Sequence, residues 1–300
     1  MTAGGAAARE RTGFGCVIAA TLLWGTSATL ARWTMERGVP PLVVVELRLA
    51  ISVVLLALGF ALFRPALFRI ARADALHLVI LGVFGIAAVQ GSYYTNLNLV
   101  GVGLAILLQY LAPTLVVGWE ALVERRRPRP IVLAALVAAT AGVALLVLAD
   151  DAALARANPL GVGVGLASAV VFAFYIVYAK RLLATLSPWT VLFYGVLVAA
   201  VFWMGVESPA RIAGAHYRLD TWGLFLAIAL GSALVPFALF YAGLARLSAS
   251  RAGIVALLEP IVAIGSSALF LHEGLSVSQS LGALLILLGV GLSARAHAES

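Results

Sequence analysis

The chain has 300 residues, of which 63% are hydrophobic and only 11% are charged, with a net charge of +7. A soluble globular protein is about half apolar and about a quarter charged, so this composition excludes a soluble enzyme, a nucleic-acid-binding protein and a disordered chain. The single cysteine, Cys16, excludes an internal disulfide framework, and the four scattered histidines do not indicate a metal site.

Ten apolar stretches, taken in chain order, are each long enough to form a transmembrane helix. Such a helix needs about 20 mostly apolar residues to cross about 30 Å of hydrocarbon. Runs such as IVLAALVAATAGVALLVLA (131–149) lack the alternation of polar and apolar residues that a membrane β-barrel strand requires. We therefore predict an all-α membrane protein with ten transmembrane helices, preceded by a cytoplasmic tail, 1–13. The predicted crossings are 14–34, 41–62, 75–97, 101–122, 131–149, 159–182, 188–206, 221–244, 250–271 and 277–295.

The basic residues favour one orientation in the cytoplasmic membrane, because cytoplasmic loops carry an excess of Lys and Arg. With both termini in the cytoplasm, most of the 20 Lys and Arg residues fall on the cytoplasmic side, including those of ERRRPRP (124–130). We therefore predict cytoplasmic termini and attribute this loop to membrane orientation rather than to nucleic acid. Trp33, Trp189 and Trp222 lie at predicted helix ends and are expected at the interface between lipid and water.

The second half of the chain resembles the first at an offset of 147–148 residues, which divides it into units 14–149 and 159–295. Because each unit holds an odd number of crossings, five, the second copy must lie inverted in the bilayer relative to the first. Inverted repeats are typical of secondary transporters, and a duplicated bundle without transport is the alternative. The matching pairs are Pro113 and Pro260, Gly118 and Gly265, Tyr94 and Tyr241, Leu97 and Leu244, Trp24 and Phe172, Arg32 and Lys180, and Pro40 and Pro188.

Four segments carry motifs that occur together in a known family of membrane proteins. LLWGTSATLARW (22–33) has a tryptophan–glycine–small pattern in the first helix, and ELRLA (46–50) has an arginine early in the second. ALLEPIVAIGSSALFLHEGLSVSQSLGALLILLGVGL (256–292) has a proline in the middle of the ninth helix, and LQYLAPTLVVGWEALVER (108–125) is its weaker copy in the first half. With these motifs, almost the whole chain resembles the EamA family of the drug/metabolite transporter superfamily.

The resemblance implies a secondary transporter for a small molecule, usually an exporter of metabolites, of the kind that includes aromatic amino-acid exporters. It also implies that Glu273 and Glu124 hold matching acidic positions at the ends of the ninth and fourth helices. The substrate, proton coupling as opposed to facilitated diffusion, and the choice between monomer and homodimer stay open. A non-transporting scaffold or receptor and a membrane-embedded enzyme are the alternatives. No cofactor is expected, since the sequence has no P-loop, HExxH or GxSxG motif.

Two ionisable residues lie well inside predicted crossings, where a charge is costly and commonly faces an aqueous cavity. At 1.5 Å per residue, Glu259 lies about 13 Å from the inner edge and Arg48 about 10 Å from the outer edge. Glu259 is a candidate proton carrier or substrate ligand, because burial favours the protonated carboxyl and an approaching cation favours the charged one. A fixed ion pair or hydrogen bond is its alternative. Arg48 is a candidate ligand for a substrate carboxylate, and its alternative is a structural role beside Glu259 or backbone carbonyls.

Nine further polar or aromatic residues near the middle of the crossings complete the candidate substrate site. Together they would form a small-molecule site with aromatic walls and a few hydrogen-bonding groups. For any single aromatic residue, ordinary packing is the alternative. Pro113, Pro236 and Pro260 lie inside crossings and predict kinks there. The nine residues are Trp24, Ser27, Gln90, Tyr94, Gln109, Phe172, Tyr175, Phe237 and Tyr241.

Overall fold

The computed structural model describes residues 3–148, 158–206, 209–271 and 276–295. Within these ranges all regular secondary structure is helical, which confirms the predicted all-α class. Glu273, predicted as an acidic counterpart of Glu124, lies outside the described residues, and the side chain of Arg32 is not described either.

The long helices follow the predicted crossings closely, although two of them are broken. Several begin at a proline, which fits the first turn of a helix because its missing N–H would have no partner there. The helices are α1 (Ala3–Glu36), α2 (Pro41–Phe63), α3 (Arg72–Val100), α4a (Val102–Gln109), α4b (Ala112–Leu122), α5 (Pro130–Leu148), α6 (Pro159–Leu182), α7 (Pro188–Met204), α8 (Leu219–Leu244), α9a (Ala249–Ala256), α9b (Glu259–Leu271) and α10 (Val277–Arg295), with shorter turns at Pro65–Phe68 and Pro209–Gly214.

Eight spans within the described residues are long and apolar enough to cross a membrane. They correspond to α2, α3, α4, α5, α6, α8, α9 and α10, while α7 is a shorter apolar helix of 17 residues. Helix α1 contains the first predicted crossing, and it begins at Ala3, inside the predicted tail. A helical membrane protein is therefore confirmed.

The two halves share the same departures from regular helix. Helix α3 is π-helical over Leu81–Ala87, and α8 is π-helical over Ala229–Leu234. Helix α4 is interrupted at 110–111, and α9 is interrupted at 257–258. Each irregularity in the second half thus lies 147–148 residues after its counterpart, as the offset of the sequence repeat predicts.

The predicted prolines explain three of these irregularities, because proline cannot donate to the carbonyl four residues earlier and its ring clashes with it. Pro113 and Pro260 are each the second residue after a break, and Pro236 is the second residue after the π-helical segment of α8. The turn between α3 and α4a depends on Gly101, whose φ of 80° suits glycine.

Helices α5 and α10 pack against each other backbone to backbone. A Cβ atom built on Gly142 would lie 2.5 Å from the carbonyl oxygen of Gly282, and one on Gly289 would lie 2.6 Å from that of Ala135. The other helices surround a common interior, in which α1 packs on α8 and α9b, α2 on α7 and α8, and α3 and α4b on α6. This interior contains the candidate site.

Candidate substrate-binding site

The two broken helices meet at their breaks. Glu259 is the first residue of α9b, and Tyr110 lies in the interruption of α4. The Tyr110 hydroxyl donates a hydrogen bond of 2.6 Å to Oε2 of Glu259. Close by, Gly253 faces the ring of Pro113, with 3.4 Å from an ideal Cβ to the proline side chain. The prolines that break the helices therefore bring the intramembrane carboxylate next to a tyrosine.

Arg48 lies on the other side of the interior and is held by α8. Its Nη1 atom lies 3.4 Å from Oγ of Ser232, whose hydroxyl donates to the carbonyl of Ile228 at 2.7 Å. Ser232 is four residues before Pro236, which has no N–H to donate to the Ser232 carbonyl. That carbonyl accepts a 3.0 Å hydrogen bond from Nε1 of Trp24 on α1 instead.

Arg48 and Glu259 are close enough to interact electrostatically, but they do not form an ion pair within 4.0 Å in the described part of the chain. Each is hydrogen-bonded to a neutral hydroxyl, and the Nε atom of Arg48 is buried without a partner. Both residues are half-buried. The structure therefore does not contain the direct Arg48–Glu259 ion pair that was considered from the sequence.

Five predicted aromatic residues form one continuous set of ring contacts in this interior. The ring centroids of Trp24 and Phe237 are 5.3 Å apart, those of Phe237 and Tyr175 6.4 Å, and those of Tyr175 and Tyr241 6.1 Å. Phe172 stacks on Tyr175 at 6.1 Å and meets the ring of Tyr110 at 6.2 Å. The rings thus connect the neighbourhood of Ser232 with that of Glu259.

Four of the nine further candidates, three polar residues and one tyrosine, do not join this set. Ser27 donates to the carbonyl of Trp24 on its own helix at 2.9 Å, and Nε2 of Gln109 donates to Oγ of Ser168 on α6 at 3.1 Å. These two hydrogen bonds satisfy side chains that pack between helices, so they point to structural roles. Gln90 is half-buried on α3, and its side chain has no hydrogen bond to another described residue. Tyr94, on the same helix, contacts the ring of Tyr93 at 5.7 Å.

Sequence reasoning left Ser232 and Tyr93 out of the predicted site, and it grouped Tyr110 with the mid-crossing polar and aromatic residues without counting it as a site residue. Tyr93 lies within electrostatic reach of both Arg48 and Glu259. For Ser232 a signal exists in the sequence, since it lies four residues before a proline inside a crossing. Tyr110 carries a similar signal, because it lies three residues before a mid-helix proline, Pro113.

The ion pairs near the two ends of α1 differ in length and in burial. Near the start of α1, Glu10 forms a 2.7 Å ion pair with Nη1 of Arg251, whose guanidinium lies 4.7 Å above the ring of Phe14. The side chains of this pair are only 22% and 11% exposed. Beyond the other end of α1, Arg37 and Asp220 are 4.0 Å apart and about half exposed. A cavity of about 390 Å³ lies away from both, where α2 ends and α7 begins.

The profile of the EamA-like transporter family matches this sequence twice, over residues 11–148 and 159–295. The chain belongs to the EamA-like transporter family. The resemblance predicted from the motifs is therefore confirmed, and so is the class of membrane transporter, which points away from an enzyme. Within the described residues, no group of three or more His, Cys, Asp or Glu side chains could hold a metal ion.

Similar proteins include both unassigned and named transporters. This EamA-like chain is 28% identical to an "Uncharacterized inner membrane transporter YicL" of Salmonella typhimurium, over 93% of this chain and 94% of that protein. It is 30% identical to the "Threonine/homoserine exporter RhtA" of Escherichia coli, over 81% and 78%. A crystal structure with 22% identity matches 95% of this chain and 97% of its own with a TM-score of 0.75, which shows the shared fold.

Proposed function

We propose that this EamA-like protein is a secondary transporter that exports a small amphipathic metabolite, with amino acids first, across the cytoplasmic membrane by alternating access. The observation that carries the proposal is the pair of intramembrane charges, Arg48 and Glu259, beside a set of aromatic rings. Glu259 and its partner Tyr110 lie at the breaks of two interrupted helices. Charged residues inside crossings usually serve a substrate or ion path. Interrupted helices at mid-membrane are the usual location of transporter sites.

The proposed topology has ten crossings in two inverted halves. Besides the eight spans above, α1 supplies 14–34, and the 17 residues of α7 extend about 26 Å at 1.5 Å per residue. Five crossings in each half invert the second copy and leave both termini in the cytoplasm. The recurrence of the π-helical segments and of the breaks at the repeat offset supports this duplication.

The Glu10–Arg251 ion pair would close the cytoplasmic end of the transport path. It joins α1 to α9a, and the Glu120 carboxylate on α4b accepts a 3.1 Å hydrogen bond from the backbone N–H of the neighbouring Ser250. With the Arg37–Asp220 end held loosely, the structure resembles a state closed to the cytoplasm. Loading of a substrate for export would require the Glu10–Arg251 contact to open.

Amino acids are the first substrates to test, because RhtA is named a threonine/homoserine exporter and the site combines charges with aromatic rings. In this proposal the substrate lies among Trp24, Arg48, Phe172, Phe237 and Glu259, over Tyr175 and Tyr241. Gln90 and Tyr94 stay proposed lining residues on α3. Glu259 can serve as a proton carrier or as a direct ligand, and proton-coupled and facilitated transport both fit this geometry.

Counterflow tests the proposal directly. Proteoliposomes loaded with unlabelled L-threonine or L-phenylalanine should accumulate the labelled amino acid transiently, and protein-free liposomes should not. The matched control is Arg37→Gln, which removes an exposed charge outside the site and should leave counterflow unchanged. If the protein binds amino acids without counterflow, it is a receptor or scaffold. If the protein neither binds nor transports any amino acid tested, the proposed amino-acid substrate class is wrong.

A further inference from the structure

The charged groups in the interior lack the partner that a low-dielectric environment demands. Within the part of the chain that the structure describes, Arg48 is hydrogen-bonded only through Nη1 to Ser232, and its Nε atom is buried without a partner. Glu259 is hydrogen-bonded through Oε2 to Tyr110. A neutral hydroxyl solvates a charge but does not neutralise it, and an uncompensated buried charge is costly. Arg48 can therefore still bind an anionic group, and Glu259 can still bind a cationic one.

The ordinary solution would be a direct ion pair between the two residues. The residues that hold them border the same set of aromatic rings, Ser232 through Trp24 and Tyr110 through Phe172, and the two charges are close enough to interact electrostatically. However, each side chain is held by a different helix: Arg48 by the π-helical segment of α8, and Glu259 by the break in α4. Both anchoring residues lie where a proline disturbs the helix, so the separation of the charges is built into the backbone.

We propose that Arg48 and Glu259 bind the two opposite charges of one zwitterionic substrate, the carboxylate at Arg48 and the ammonium at Glu259. This inference rests on the proposed transport function and adds which residue recognises which group. The guanidinium matches a carboxylate through its planar N–H donors. The Oε1 atom of Glu259 remains to accept from an ammonium, and the neighbouring rings of Tyr110 and Phe172 add faces that attract a cation.

A zwitterion supplies an oppositely charged partner to Arg48 and to Glu259 at the same time. A substrate with a single charge neutralises one of these residues and leaves the charge of the other without a partner. The proposed site should therefore select compounds that carry both charges a few bonds apart. An α-amino acid is the simplest such compound. A metabolite with only a carboxylate, or only an amine, should bind less tightly.

Four probes that differ only in charge test this assignment on the purified full-length protein. They are L-threonine, its methyl ester (cation only), N-acetyl-L-threonine (anion only) and the N-acetyl methyl ester (neutral), with the matching L-phenylalanine series as a second set. Affinity is obtained from the concentration dependence of the thermal unfolding midpoint, since a ligand that binds the folded state raises it. For at least one series, the zwitterion should bind about tenfold or more tightly than each singly charged analogue.

Two substitutions then separate the roles. Arg48→Gln should weaken binding of the zwitterion and the anion-only probe about tenfold or more, and leave the cation-only probe unchanged. Glu259→Gln should weaken binding of the zwitterion and the cation-only probe by a similar factor, and leave the anion-only probe unchanged. The unchanged probe in each variant shows that the variant is folded. Arg37→Gln and Glu124→Gln remove charges that lie just beyond the ends of α1 and α4b, outside the proposed site, and should change the affinity of none of the four probes.

Equal affinities for all four probes in the wild-type protein would overturn the inference, and so would an equal loss for all probes in both variants. Absence of any zwitterion binding in both series would overturn it as well. Counterflow distinguishes this failure from failure of the proposed function. If the protein transports amino acids without a preference for zwitterions, the proposed transport function is supported and the proposed recognition by Arg48 and Glu259 is wrong. If zwitterions bind in the predicted pattern without counterflow, the proposed recognition is supported and the proposed transport function is wrong.

Discussion

The Glu10–Arg251 ion pair makes a quantitative prediction about the conformational equilibrium of the transporter. Glu10→Gln keeps the size of the side chain and some hydrogen bonding, but it removes the charge that Arg251 faces at 2.7 Å. Arg251 also has two guanidinium nitrogens that are buried without hydrogen bonds, so its remaining charge becomes poorly compensated. On the proposed alternating-access mechanism, the substitution therefore destabilises the state closed to the cytoplasm more than a state in which the two residues are solvated.

The size of the effect follows from the exposure of the pair. Removing one partner of a fully buried ion pair costs about 3–5 kcal/mol, and a hydrogen bond to a charged group contributes about 1.5–3 kcal/mol. Because the two side chains keep 11% and 22% of their surface exposed, the lower range applies. A shift of about 1.5–3 kcal/mol changes the ratio of closed to open states about tenfold to about 150-fold.

Cysteine labelling measures this shift. Val17 is fully buried one turn beyond Phe14, where it packs on Gly243 of α8. In a Cys16→Ser background, a cysteine introduced by Val17→Cys should react with maleimide from the cytoplasmic side of inside-out vesicles about tenfold faster when Glu10 is also replaced by Gln. Arg37→Gln, at the other end of α1, serves as the control and should leave the rate unchanged. Equal labelling rates with and without Glu10→Gln would refute the idea that this pair holds the cytoplasmic end closed.

Two further substitutions test the packing of the fold and the hydrogen bond at the breaks. Gly282→Ala should lower the free energy of unfolding by about 1–3 kcal/mol, since its Cβ would lie 2.6 Å from a backbone oxygen of α5. The control Gly291→Ala, with open space around it on the same helix, should be neutral or stabilising. Equal stability of the two variants in thermal unfolding would contradict the close approach of α5 and α10. Tyr110→Phe should cost about 1–3 kcal/mol because it leaves the Glu259 carboxylate without its donor. The control Tyr194→Phe, which loses an exposed hydrogen bond to a backbone carbonyl, should cost less, and a larger loss there would argue against a special role for Tyr110.

The local features that the sequence predicted correctly are those that depend on residues near each other in the chain. Apolar runs of sufficient length gave the helices, because backbone polar groups in lipid must be satisfied within the segment. The mid-helix prolines Pro113, Pro236 and Pro260 marked three of the four irregular places, since the loss of one N–H is a local effect. The motifs around them also pointed to the EamA family.

The tertiary structure decided which side chains meet, because helical periodicity tells which residues share a face but not which faces come together. Arg48 is hydrogen-bonded to Ser232, which lies 184 residues away, and Glu259 to Tyr110, 149 residues away. Gln109, which is predicted from the sequence as a site residue, donates a hydrogen bond to Ser168, 59 residues away. Composition and spacing thus identified a membrane transporter with two charges in its interior, and only the packing of the helices held those charges apart from each other.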